Sequence, residues 1–178
     1  MIKRLTAYPA LRGEITPPGD KSISHRAAIL NGIAEGKAAL DNFSPGADCL
    51  ATVACLRALG VKIKRQNEKK SLQISGVGRD GLGEAGDVLN ARNSATTMRL
   101  ITGLLAAQPF FSVITGDSSL RSRPMRRVIE PLRLMGAEIC GRGNGSLAPL
   151  AIMGRRLHAI TYSLQITSAQ VKSALILD

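Results

Sequence analysis

The chain repeats itself at a period near 75 residues, and that repeat limits what it can fold into. Ser22, Ser94 and Ser168 each open a helix-like run, at intervals of 72 and 74 residues. The first run spaces Ile23, Ala27, Leu30 and Ala34 as one helical face; the second does so with Met98, Ile101, Leu104 and Leu105. A second landmark agrees: Leu56-Arg57-Ala58-Leu59-Gly60 recurs 76 residues later as Leu132-Arg133-Leu134-Met135-Gly136. In both copies a helix (apolar Val53, Leu56, Leu59; then Val128, Leu132, Met135) stops at glycine, the usual C-terminal cap, and a β-like run follows. Each unit therefore reads as a Ser-led helix, a strand, a second helix and further strands. The loops at residues 42–46 and 115–118 are expected to start the second helices. The period is too long for a small solenoid and fits duplicated α/β units packed around one core. Only about three helical turns follow Ser168, which predicts a fragment of a longer chain, or one piece of a split one.

The net charge of +11, from 24 Lys+Arg against 13 Asp+Glu, calls for an anionic partner. Nucleic acid is disfavoured, because two Tyr, three Phe and no Trp leave little surface to stack bases on. Lys62 to Arg65 and Lys69-Lys70 read as solvated strand ends, while many other cations stand singly among Gly, Ser, Thr and Asn. That distribution suits a pocket for small anions. Cys49, Cys55 and Cys140 lack metal-ligand spacing, and the first two are expected as buried thiols. No apolar run approaches the roughly 20 residues of a membrane span, and the N-terminus does not resemble a secretory signal; a cytoplasmic protein is expected.

Four clusters combine small polar residues with a cation or amide. Residues 18–26 (Pro-Gly-Asp-Lys-Ser-Ile-Ser-His-Arg) place Lys21 and Ser22 at a helix mouth, with Arg26 one turn on. Free backbone N–H groups and the positive dipole end suit an oxyanion there. Residues 93–99 (Asn-Ser-Ala-Thr-Thr-Met-Arg) repeat the pattern. Residues 116–125 carry Arg121 and Arg123 around Ser122; in an extended loop only one would face a ligand, and Arg123 is preferred. Residues 167–172 add Gln170, both donor and acceptor, and Lys172. Each cluster alone also fits plain helix capping. Packing of the units around a pseudo-threefold axis would converge them on one anionic site. His25 and His158 have no apparent partner, and His25 is expected in a loop or first turn.

These residues resemble the 3-phosphoshikimate 1-carboxyvinyltransferase (EPSP synthase) family of enolpyruvyl transferases, from about residue 5 onward. The resemblance implies an α/β fold of repeated βαβαββ units about a pseudo-threefold axis, an inside-out α/β barrel with its third unit incomplete. It assigns residues 1–17 to the other, C-terminal domain and 18–178 to an incomplete N-terminal domain. It implies transfer of the carboxyvinyl group of phosphoenolpyruvate to shikimate 3-phosphate, with no cofactor and no metal, and with the C-terminal portion as partner. Neither nucleic acid nor a membrane is expected as a partner.

By the same resemblance Lys21 touches both substrates and shuttles the proton. Ser22, Arg26, Ser168 and Ala169 hold shikimate 3-phosphate; Asn93, Ala95, Thr96 and Arg123 line the phosphoenolpyruvate side; Gln170 lies between the two. Asp48 and Arg99 take supporting roles. The family's acidic acid/base residues lie in the other domain, so the fragment alone is expected to be inactive. Arg92 and Ala95 stand where the family often has Gly, and the added methyl of Ala95 implies a narrower phosphoenolpyruvate pocket with reduced sensitivity to glyphosate. The sister family acting on UDP-N-acetylglucosamine typically has Asn after the lysine and a cysteine in its mobile loop; here Ser22 follows Lys21, and residues 116–125 contain no cysteine. The remaining rival is a basic nucleic-acid-binding module, which would show salt-dependent affinity for generic DNA or RNA.

Overall fold

The computed structural model describes residues 10, 12–66, 71–164 and 167–177; Lys69-Lys70 and most of the segment before Pro17 lie outside them. The first unit runs α1 (Lys21–Ile33), β1 (Glu35–Leu40), α2 (Ala47–Ala58), β2 (Lys62–Gln66) and β3 (Ser71–Val77). The second runs β4 (Leu89–Asn90), α3 (Ala95–Ala106), β5 (Phe111–Thr115), the one-turn α4 (Ser118–Arg121), α5 (Arg126–Leu134), β6 (Glu138–Gly141), the single left-handed turn α6 (Arg142–Gly145) and β7 (Leu147–Met153). A last helix, α7 (Ala169–Ile176), begins the third.

The duplication is visible in the sheets. The first has order β1-β3-β2 and is antiparallel throughout; the second has order β4-β5-β7-β6, with β4 parallel to β5 and the rest antiparallel. In each, the last strand of the unit lies between the strand after its first helix and the strand after its second, β3 between β1 and β2 and β7 between β5 and β6. The second unit is thus a full βαβαββ; the first lacks its leading strand among the described residues.

Both Leu-Arg-x-x-Gly segments end their helices the same way. Gly60 (φ 95°) and Gly136 (φ 100°) take the left-handed conformation that a Cβ disfavours. Val61 N–H then returns to Leu56 O at 3.0 Å, and Ala137 N–H to Leu132 O at 2.9 Å. The arginine of the motif reaches the strand beyond the glycine. Arg57 donates to Ile63 O (Nη2, 2.6 Å), and Arg133 donates to Ile139 O. A cation near a helix C-terminus is favoured by the dipole, and here it also clamps the strand that follows.

The core forms one cluster drawn from helices and sheets, with α3 contributing Met98, Leu100, Ile101, Leu104 and Leu105, all essentially fully buried. Gly103 lets α7 lie against α3: a Cβ there would sit 2.0 Å from Ala174 O.

The face expected for α1 is not the one it buries. Ile23 and Leu30 are 63% and 52% exposed, and the buried residues are Ser24, His25, Ala28, Ile29 and Gly32. Small residues let α1 approach closely, with Gly32 against Leu56 and Val61. The polar pair can be buried because each finds a partner: Ser24 Oγ accepts from Ser44 N–H at 3.0 Å, and the His25 ring meets Thr52. His25 accordingly sits inside α1, not in a loop. Cys49 and Cys55 are buried free thiols as expected, while Cys140 is exposed.

Candidate active site

The helix caps correct one reading. Asp20, not Ser22, caps α1, accepting from Ile23 N–H at 2.7 Å; Ser94 and Ser168 cap α3 and α7. Lys21 and Ser22 are therefore the first helical residues. The capping positions fall at an even 74-residue interval. Gly19 is required ahead of the cap, because a Cβ would stand 1.8 Å from Asn42 O in the adjoining loop.

Three side-chain networks hold the expected residues, two of them reaching the first turn of α3 and one built on Asn93 just ahead of it. In the first, Lys21 pairs with the carboxylate of Asp48, in the first turn of α2, where the dipole favours an acid. The Asp48 carbonyl accepts from Thr97 Oγ1 at 3.1 Å. In the second, the Asn93 amide donates to Asp117 Oδ2 at 2.7 Å and accepts from Arg123 Nη2 at 2.7 Å, so both ends of the amide are fixed. Asp117 caps α4 through Leu120 N–H at 2.8 Å, and the Asn93 and Leu120 donors hold its carboxyl below the usual range. In the third, Gln170 accepts from Arg99 Nη1 at 2.5 Å and donates to Thr96 Oγ1 at 3.1 Å. Burial, with Arg127 and Arg123 nearby, lowers the Arg99 pKa.

Residues 116–125 are not the extended loop expected, since they contain α4. Arg123 is nonetheless the engaged arginine, and Arg121 is exposed. Gly116 permits the crossing of this segment over residue 92, where a Cβ would lie 2.5 Å from Arg92 O. Ser22, exposed in the first turn of α1, and Arg26, half-buried one turn on, make no side-chain hydrogen bond among the described residues. Ala95 and Ala169 are the first residues of their helices. Lys172 is exposed on α7.

Sequence reasoning did not find Asp117 or the buried group His25–Thr52–Thr97. Their partners lie 24 to 45 residues away, beyond any local pattern. Burial lowers His25 to about 4, helped by Lys21 and Arg26 and opposed by Asp48, so the ring is neutral. Two cavities, of about 890 and 580 Å³, share Met135, Ile160 and Leu175 and contain none of Lys21, Arg123 or Gln170.

Duplicated units of helices and largely antiparallel strands, with cations and amides at or beside the helix starts, define a mixed α/β protein. The family model for EPSP synthase (3-phosphoshikimate 1-carboxyvinyltransferase) matches residues 5–178, and the chain belongs to that family. It is 60% identical over 173 residues to the 3-phosphoshikimate 1-carboxyvinyltransferase of Chloroflexus aurantiacus, covering 97% of this chain and 40% of that one. Against the protein of the same name from Desulforudis audaxviator it is 57% identical, covering 99% of this chain and 41% of that one. The solved EPSP synthase of Acinetobacter baumannii superposes with a TM-score of 0.89 at 46% identity, over 93% of this chain and 37% of that one. The chain thus spans about two fifths of the length of the curated relatives it matches.

Proposed function

We propose that this chain is the N-terminal part of an enolpyruvyl transferase that joins phosphoenolpyruvate to shikimate 3-phosphate and releases phosphate, in the cytoplasm. The observation that carries this reading is the attachment of Lys21 (through Asp48 to Thr97) and Gln170 (to Thr96) to the first turn of α3, with Arg123 held by Asn93 just ahead of that helix. Both substrates carry phosphate and carboxylate, and a rim of cations and helix N-termini is suited to them.

The shikimate hydroxyl gives up its proton as its oxygen attacks the enol carbon and the methylene is protonated to a methyl; the tetrahedral intermediate then loses one methyl proton as the carbon–oxygen bond to phosphate breaks, restoring the double bond. Lys21 moves the proton. Ser22, Arg26 and Ser168 hold the shikimate phosphate, with Ala169 beside them, and Asn93, Ala95, Thr96 and Arg123 hold phosphoenolpyruvate. Gln170, oriented by Arg99, spans both. Pre-positioned donors carry much of the rate in such sites. The units pack around a pseudo-threefold axis as an inside-out barrel; residues 1–17 belong with the C-terminal domain and 18–178 with the N-terminal one. The Ala95 methyl narrows the phosphoenolpyruvate side and lowers glyphosate sensitivity.

Phosphate release should be assayed with the chain alone and after co-expression with the complementary C-terminal portion of the Chloroflexus aurantiacus relative. Turnover in the assembly and none in the chain alone is expected. A silent assembly that nonetheless forms a stable complex overturns the proposal.

A further inference from the structure

The base of the site contains a buried group for which the proposed chemistry has no use. His25 Nδ1 lies 2.7 Å from Thr52 Oγ1, which lies 2.8 Å from Thr97 Oγ1. Thr97 Oγ1 reaches Asp48 O at 3.1 Å and Ser94 Oγ at 2.8 Å. His25, Thr52, Thr97 and Ser94 are each 0% exposed, and His25 Nε2 is buried without a partner.

Each hydroxyl has one proton, and a backbone carbonyl can only accept. If Thr97 donates to Asp48 O, its two lone pairs accept from Thr52 and Ser94. Thr52 has then given its proton away and must accept from His25 Nδ1–H. Every contact is satisfied, and only a bare Nε2 lone pair is left over. In the opposite direction Thr52 donates to Nδ1, so Nε2–H is buried with no acceptor, and the Asp48 contact loses its proton. Orphaned buried N–H groups are rarer than under-used acceptors, so the first direction is favoured.

We infer that His25 is a positioning residue for the Lys21 site: as the neutral Nδ1–H tautomer it heads a one-way hydrogen-bond chain through Thr52 and Thr97 to the Asp48 carbonyl. Asp48 is held at both ends, by Thr97 at its carbonyl and by Lys21 at its carboxylate. The chain crosses from α1 to α2 to α3 and so joins the helix that begins at Lys21 to the helix that follows Asn93. Its consequence for turnover rests on the proposed function; its existence does not.

Two measurements test it. The chain has two histidines, so ¹⁵N ring spectra, assigned with His158→Gln, report His25 directly. A protonated Nδ1 with a bare Nε2 is expected; the Nε2–H tautomer overturns the inference. In the complemented enzyme, Thr52→Val removes the link while preserving shape. About tenfold lower kcat is expected, with KM for both substrates within about twofold, and Thr52→Ser should restore the rate. Equal losses in the Val and Ser variants, or a lower Tm at unchanged kcat, overturn the positioning role. If the wild-type assembly itself is silent, the enolpyruvyl reading falls, and the ring-nitrogen spectrum alone upholds or overturns the chain.

Discussion

The Arg123 guanidinium donates to the side-chain carbonyl of Asn93 at 2.7 Å, and the other end of the same amide donates to Asp117. Asn93 thereby decides where Arg123 points. Asn93→Ala should leave Arg123 without that anchor. A hydrogen bond involving a charged group contributes about 1.5–3 kcal/mol, so KM for phosphoenolpyruvate in the complemented enzyme should rise by roughly 10- to 100-fold. KM for shikimate 3-phosphate should move much less. Equal rises for both substrates would argue against Arg123 serving one side.

Arg92 precedes that amide with φ 52°, in the left-handed region that a side chain disfavours. Its carbonyl accepts from Asp117 N–H at 2.8 Å, which keeps the turn in place despite the strain. Arg92→Gly should raise unfolding free energy by about 0.5–1 kcal/mol, read from urea melts. Gly116→Ala should do the opposite, since its methyl would press on Arg92 O and Leu120.

The neutral His25 gives stability a pH dependence. The folded ring takes up its proton near 4, against an ordinary 6.5. Between those values the unfolded state binds more protons, so stability is full above about 6.5 and declines as pH falls towards 4. The loss should amount to roughly 3 kcal/mol. His25→Asn should flatten the urea-unfolding profile in this window; an unchanged slope would assign the acid sensitivity to other groups.

The repeat period, the glycine stops and the Ser94 and Ser168 caps were legible because they depend on local rules: capping, helical spacing and left-handed glycine. The cap of α1 was misread because Asp20 and Ser22 both suit the role within three residues, and only the Ile23 N–H geometry separates them. The buried face of α1 was misread for a different reason. Ile23 and Leu30 satisfy the helical period, yet Ser24 and His25 go inside because Ser44 and Thr52 await them across the fold. The same holds in the site. Lys21, Asn93, Arg123 and Gln170 stand in recognisable local contexts, whereas Asp117 meets Asn93 across 24 residues of its own unit and the roles of Arg99 and Thr97 arise only from pairing between units.

The contact between α3 and α7 offers a structural test. Gly103→Ala would drive a methyl against Ala174 O, and overpacking of this kind costs about 1–3 kcal/mol. The strain should fall on α7, which is short and whose Ile176 is exposed, more than on buried α3. Hydrogen exchange should therefore quicken at α7 amides while α3 keeps its protection. Uniform quickening in both helices would mean that they unfold as one unit.

Ala95 is the first residue of α3, between the capping Ser94 and Thr96, whose hydroxyl accepts from Gln170. A methyl at this position occupies space beside the N–H groups that would receive an anion. Phosphoenolpyruvate is short, whereas glyphosate is longer and would meet the methyl first. Ala95→Gly in the complemented enzyme should lower the glyphosate concentration for half-inhibition by about tenfold or more, with KM for phosphoenolpyruvate changed much less. Glycine at the first helical position costs little backbone stability compared with a mid-helix site, so the melting temperature serves as the control for an indirect effect. Unaltered inhibition at unaltered stability would show that the methyl does not set the tolerance.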